Sequence, residues 1–395
     1  MKILLVAEGA TLAHVSRPLV LADAFTGMGH EVVLAAPVRY AWTWKDAPFE
    51  VMPLDAQSPE IFARRLAAGD PLYDFATLDR YVDLDRTLIR DVRPDLIVGD
   101  FRLSLCVSAR LEQVRYVSLS NAYWSPYFVQ SGAWPVPDLP LTRFLPISVA
   151  TPLFNLVRPF AFAQHAKPMN ALRRKHGLGG FGRSLQAVYT DADAVAYCDV
   201  PSLFKLRDAP PNHRVIGPLL WSPACEAPPW MRTLPPDKSV VYMTLGSSGR
   251  ADLVQPIAAA LSEAGHVVLM STAGADAAAQ ITNVYSARFL PGLDACRVAD
   301  VVVCNGGSPT TQQALAAGKP VLGVASNLDQ FLNMQTLEGA GVGEVVRADR
   351  FTPSGLIAGV SNMLAHQGAV TRARKCADEM SALSSSVVAA QILHL

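Results

Sequence analysis

The chain has 395 residues, half of them apolar, which is too long for one ordinary hydrophobic core and ample for two. Lys plus Arg number 34 and Asp plus Glu number 34, so no global field exists to draw in DNA, RNA or an anionic membrane, and nucleic acid is not an expected partner. The cysteines Cys106, Cys198, Cys225, Cys296, Cys304 and Cys376 form no CxxC pair and the histidines never fall at HxxxH spacing, so buried thiols in a reducing cytoplasm are expected and a structural zinc site is not.

In chain order, KILLVA is too short an apolar run for a signal peptide or a membrane span and reads as a first buried strand. The turn after it, EGATLAHVSRP, holds His14 and leads into the helical LVLADAFTGMG and a second strand, GHEVVLAAP. That turn has one glycine where a dinucleotide fingerprint needs three, which argues against a nicotinamide dehydrogenase. A further strand, DLIVGD, ends at Asp100 and is followed by a helical segment and the strand RYVSLS.

Aromatic residues divide unevenly. Of 31, only Tyr242, Tyr285, Phe289, Phe331 and Phe351 follow residue 235, so the first half must recognise something flatter or more apolar than the second does. Trp42, Trp44, Tyr73, Tyr123, Trp124, Tyr127 and Trp134 are candidates for lining its pocket, with core packing the competing reading for each.

Phe144 to Ala163 is the one membrane-like stretch, and Pro146, Pro152, Arg158 and Pro159 interrupt it. Apolar helices forming one wall of a pocket are expected there. Peripheral contact with an inner membrane is the alternative, and the stretch together with the basic Arg173, Arg174 and Lys175 favours a glycosyltransferase that acts on a lipid acceptor. A proline-rich run from Pro201 to Pro236 suits an interdomain linker. The expected domains are thus 1–215, a linker 216–235, a second lobe 236–375 and a terminal helix 376–395 packing back toward the first lobe.

In the second half, strand SVVYMTLG ends in a turn with Gly246, Ser247 and Ser248, and GHVVLMSTAG follows. Strand VVVC runs into Asn305, Gly306, Gly307, Ser308, Pro309, Thr310 and Thr311 and then the helical QQALAAG. Two glycines allow backbone to approach a ligand, and a helix beginning there turns unsatisfied N–H groups and its positive dipole end outward, a site suited to a diphosphate. Strand KPVLGVAS leads to Asp329 and Gln330, whose carboxylate and carboxamide could grip neighbouring sugar hydroxyls.

The two halves echo each other. From Lys2 to Gly29 is 27 residues and from Ser239 to Gly265 is 26; from Val98 to Val117 is 19 and from Val303 to Val321 is 18. The expected fold is therefore α/β, with two Rossmann-like doubly wound parallel-sheet lobes facing across a cleft.

With these residues in place, the chain resembles the glycosyltransferases that include plant UDP-glycosyltransferases and bacterial antibiotic glycosyltransferases, enzymes of the inverting GT-B class. The likeness runs from residue 1 into the 370s and is densest from FLPGLDACR to LEGAGVG. The family's donor signature appears in order as Phe289, Leu290 and Pro291, then Gly306 and Gly307, Thr310, and Asp329 with Gln330. Two positions depart: Asn305 stands where the family usually has a diphosphate-binding histidine, and Gln313 where it has a ribose-binding glutamate, which weakens the usual preference for UDP over TDP. The resemblance implies that His14 is the catalytic base and Asp100 the carboxylate that orients it, with the second lobe binding a UDP- or TDP-sugar and the first binding a small aromatic or apolar acceptor. No DxD pair appears in the donor loops, so a metal-independent, cofactor-free reaction is expected. A lipid-acceptor glycosyltransferase or a nucleotide-sugar epimerase on the same fold, and a catalytically weak homologue that activates a partner, are the alternatives.

Overall fold

The computed structural model describes residues 1–272 and 281–395. It divides into two compact units, Met1–Val129 with Asn155–Trp221 and Leu383–Leu395, and Gln130–Phe154 with Ser222–Ala382. The last two residues of GHVVLMSTAG lie outside the described residues.

The first unit holds strands β1 (Lys2–Ala7), β2 (Glu31–Ala36), β3 (Glu50–Pro53), β4 (Leu96–Asp100), β5 (Arg115–Ser120), β6 (Ala194–Tyr197) and β7 (His213–Val215). All are parallel, in the order β3-β2-β1-β4-β5-β6-β7. Its helices are α1 (Ala13–Gly27), α2 (Pro59–Ala68), α3 (Phe75–Val92), α4 (Leu105–Leu111), most of α5 (Ile147–Lys175) and α6 (Leu185–Tyr189). The near-continuous apolar run of β1, with Ile3 to Ala7 wholly buried, is what a strand covered by helices on both faces requires.

The second unit repeats the plan with β8 (Val240–Thr244), β9 (Val267–Ser271), β10 (Val284–Ala287), β11 (Val301–Cys304), β12 (Val321–Ala325) and β13 (Gly343–Arg347), parallel in the order β10-β9-β8-β11-β12-β13. Its helices are α7 (Val254–Glu263), α8 (Gly292–Val298), α9 (Ser308–Ala316), α10 (Leu328–Gly339), α11 (Pro353–Ala365) and α12 (Gln367–Ser381), and α13 (Ser385–Leu393) returns to the first unit.

Each sheet reverses its winding once, between β1 and β4 in the first unit and between β8 and β11 in the second. Chain leaving two neighbouring strand ends there diverges to either side and opens a crevice, where ligands bind in doubly wound folds. Register places Ala7 beside Asp100 and Thr244 beside Cys304. The loops after β1 and β4, and those after β8 and β11, are therefore neighbours.

Three sequence expectations change. Residues 130–154, expected in the first lobe, belong to the second unit: the Arg347 guanidinium donates to the Val136 carbonyl at 2.7 Å, Arg350 to the Thr142 carbonyl at 2.8 Å, and the Asp138 N–H to the Ser326 carbonyl at 2.7 Å. The return to the first unit begins at Leu383, not at residue 376. Pro152 and Pro159 do not interrupt α5, which runs as one helix, and much of its first half faces solvent instead of walling a pocket. Among the cysteines, Cys225 is exposed and the other five are buried.

Candidate active site

At the switch point of the first unit, β4 ends at the fully buried Asp100. The first turn of α1 lacks a side-chain cap and acidic residues; two of its side chains reach across to that carboxylate instead. His14 Nδ1 lies 2.8 Å from Asp100 Oδ1. Arg17, one turn further along α1, donates through Nε to Oδ2 at 2.7 Å and through Nη2 to Oδ1 at 2.9 Å, and its Nη1 donates to Asn121 Oδ1 at 3.0 Å. Asn121 in turn donates to Asp199 Oδ1 at 2.8 Å. Burial works against the charge on Arg17, but Asp100, with Cys198 and Tyr123 adding to it, outweighs that and raises the guanidinium's affinity for its proton.

With Nδ1 donating to Asp100, the bare nitrogen of the ring is Nε2, free to take a proton. The face of the His14 ring stacks on Phe101, centroids 4.7 Å apart and planes 12° apart. Phe101 adopts φ +59°, a left-handed conformation that costs a non-glycine residue on the order of 1–3 kcal/mol. The conformation turns the chain sharply after Asp100 while keeping the aromatic ring against His14. Phe101 also touches Phe62, Tyr73 and Tyr189, and a small apolar cavity lined by Tyr73, Tyr189, Leu103, Met169 and Val188 adjoins this set.

Behind these rings, the wholly buried Arg102 bridges Glu8 at 3.0 Å and Asp85 at 2.9 Å, and lies over the Tyr81 ring. Burial pushes both carboxyls up, and Arg102 offsets part of that push. Two acids around one cation make a rigid buried support for the turn after β1.

In the second unit, Asn305 ties the loops after β8 and β11 together: its Nδ2 donates to Ser248 Oγ at 3.0 Å and its Oδ1 accepts from the Gly307 N–H at 3.0 Å. Gly306 has φ +80°, and a Cβ on it would stand 2.7 Å from Met334 Cγ, so both conformation and space demand glycine. Asn333 clamps the loop from below, donating to the Gly306 carbonyl at 2.8 Å and to Thr311 Oγ1 at 3.0 Å. Helix α9 starts here with no side-chain cap, leaving its N-terminal dipole for an incoming anion.

Residues 257–394 match the model of the Erythromycin biosynthesis protein CIII-like C-terminal domain. The structure of the spinosyn rhamnosyltransferase SpnG complexed with thymidine diphosphate superposes with a TM-score of 0.68 at 19% identity, covering all of both chains, which shows the shared fold. A PGL/p-HBAD biosynthesis rhamnosyltransferase of Mycobacterium bovis is 42% identical over 95% of this chain and 84% of its own length. A PGL/p-HBAD biosynthesis glycosyltransferase of Mycobacterium tuberculosis is 43% identical over 378 residues, 95% of this chain and 88% of that protein. The chain belongs to this glycosyltransferase family.

In this glycosyltransferase the structure brings His14 and Asp100 into contact, and it gathers Gly246, Ser247, Asn305, Gly306, Gly307, Ser308 and Thr310 around the second switch point, at the ends of β8 and β11. Gln313 lies beside Gly292, its Oε1 2.5 Å from where a Cβ would sit, which joins α9 to the turn of Phe289 and the buried Leu290. Asp329 is half-buried in the first turn of α10. Gln330 departs from expectation: it is 1% exposed, its Oε1 accepts from the Ser326 and Asn327 N–H groups in a capping box, and its Nε2 donates to the Ser248 carbonyl at 3.3 Å. Its side chain shapes α10 and is not open to a sugar.

The seven aromatic candidates do not form one pocket. Tyr73 is buried against Phe101, and Trp124 meets Tyr189 edge-on at 5.1 Å, so these two belong to the ring cluster centred on Phe101. Tyr123 is fully buried against Phe204 and belongs to the core. Trp42 packs on Trp221, Trp44 on the first core and Tyr127 on His213, while Trp134 lies in the segment of the second unit. Flatness and apolarity, the properties used to select them, serve packing as well as binding. Sequence reasoning missed Arg17, Phe101 and Asn333. Of these only Arg17 left a signal, its spacing of three from His14 at a helix start.

Proposed function

We propose that the enzyme transfers a sugar, with inversion and without a metal ion, from a thymidine-diphosphate donor to a hydroxyl of a small aromatic or apolar acceptor. The single observation that carries this is the 2.8 Å bond between His14 Nδ1 and Asp100 Oδ1, which leaves Nε2 as the base. In the reaction the acceptor oxygen bonds to the anomeric carbon as its proton passes to Nε2, and the bond from that carbon to the diphosphate oxygen breaks. Asp100 stabilises the imidazolium while Arg17 holds the carboxylate in place. The leaving diphosphate meets the open N-terminus of α9, Thr310 and Ser247. Thymidine over uridine is supported by the nucleotide named for the spinosyn rhamnosyltransferase complex and by Asn305 and Gln313; a 6-deoxyhexose is supported by the rhamnosyltransferase among the relatives. The ring of Phe101 on His14, with Tyr73 and Tyr189 packed against Phe101, favours a flat, apolar acceptor.

The test is mass spectrometry of products from a panel of TDP- and UDP-sugars against phenolic, macrolide and lipid acceptors, with and without excess EDTA. Transfer from a TDP-deoxysugar that survives EDTA, giving a product of inverted anomeric configuration, is expected. Strict dependence on added magnesium, or a retained configuration, would overturn the proposal.

A further inference from the structure

The first half of α5 is not used by the chemistry above, and it carries a series of exposed large apolar side chains. Leu156 is 79% exposed, Phe160 65%, Val149 52%, Val157 48% and Leu153 42%; Phe144, just before the helix, is 84% exposed. Residues 149, 153, 156, 157 and 160 fall four, seven, eight and eleven positions along, which places them on one face of the helix. A contiguous apolar face of this kind on a folded chain marks a surface that something covers.

Charge identifies the occupant. From Leu139 to Thr190 the sequence contains seven Lys and Arg and no Asp or Glu, although the whole chain is balanced at 34 of each. Arg173 pairs with Asp191 and Lys175 with Asp79, while Lys167, Arg174 and Arg183 are exposed. An apolar face in an acid-free, cationic stretch complements a surface with anionic headgroups over a hydrocarbon interior. Two-fold pairing with a second copy would instead bring like-charged stretches together. No helix among the described residues is long and apolar enough to cross a membrane, so the segment is suited to lie on a bilayer.

We propose that this face of α5 docks the enzyme on an anionic lipid bilayer, with Leu156 and Phe160 entering the acyl boundary and Lys167 and Arg174, further along the same helix, meeting the headgroups. The inference rests on neither the donor nor the acceptor of the transfer reaction.

Co-sedimentation of the full chain with vesicles tests it, comparing phosphatidylcholine alone with a phosphatidylcholine and phosphatidylglycerol mixture. Binding to the anionic vesicles that weakens as salt is raised is expected. The variant carrying Leu156→Glu and Phe160→Glu should partition at least about tenfold less, the loss expected for withdrawing two large apolar side chains from the interface. Both positions are exposed, so folding and nucleotide affinity should match the parent chain, and both are checked. Failure of the parent chain to bind either vesicle, or equal binding by the variant, would overturn the proposal. So would a parent dimer that the variant dissociates in analytical ultracentrifugation, because the face would then be an interface between copies.

Discussion

Asp100 holds two partners on adjacent turns of one helix, and this sets what each substitution there should do. His14→Ala removes only the proton acceptor, so turnover should fall by about 10² to 10⁴-fold, the contribution of a positioned general base. Nucleotide affinity, read by calorimetric titration, should not change, because the residues proposed to hold the donor lie in the second unit. Near-normal turnover would return His14 to a structural role. Arg17 is different because it is 6% exposed and neutralises a carboxylate that is wholly buried. Arg17→Ala leaves that charge without its strongest partner and should cost about 3 to 5 kcal/mol in denaturant unfolding. Arg17→Lys keeps the charge but not the two-pronged bond, so it should restore most of the stability and less of the turnover. Equal stability of Arg17→Ala and the parent would show that the Arg17 and Asp100 pair contributes nothing to folding. His14 and Asp100 could be paired ahead of the structure because the resemblance assigns both, and the turn after the first strand and the end of the fourth, which carry them, are legible in the sequence. Arg17 could not, since an arginine in a first helical turn usually faces water and only tertiary packing turns it inward.

The loop from Asn305 to Ser308 depends on elements that follow it. Helix α10 supplies Asn333 and Met334 beneath the loop, and the Asn327 to Gln330 capping box fixes where that helix begins. The capping box was already written in the sequence as Asn-x-x-Gln, and it competes directly with the sugar-binding reading of Gln330: a carboxamide oxygen accepting backbone N–H groups is not available to a hydroxyl. Gly306→Ala should lower stability by about 1 to 3 kcal/mol, since it forces both a left-handed residue and a collision with Met334. Met334→Ala relieves the collision but empties a site that is itself 0% exposed, so the double variant should lose less than the sum of the two single losses; strict additivity would show that the collision contributes nothing. Asn305→Ala unties Ser248 from Gly307 and should weaken nucleotide binding by roughly 0.5 to 3 kcal/mol, with Asn305→His tolerated. Unchanged affinity would place the diphosphate elsewhere.

At the scale of the whole molecule, the repeated spacings correspond to two sheets of the same winding, each with its switch point where the numbers coincide, β1 with β4 and β8 with β11. Periodicity exposes such a plan because buried parallel strands must be apolar along their whole length. It cannot show a chain leaving its unit and returning, because the excursion at 130–154 is held by arginine bonds to carbonyl groups that carry no pattern. The C-terminal return is held by apolar packing: Val388, Ala389 and Ile392 are fully buried in the core that contains Ile3, Leu5, Leu21 and Phe25. The first unit therefore cannot complete its core until Leu383–Leu395 has been synthesised, although its first strand is made at the start. Ile392→Ala empties a site 0% exposed and should cost the first unit about 2 to 5 kcal/mol, the range for deleting a large aliphatic side chain from a packed interior. Calorimetry should show this loss in an unfolding transition that bound nucleotide does not shift, because the donor residues belong to the other unit. If Ile392→Ala unfolds as the parent does, α13 is an appendage and not part of the first core.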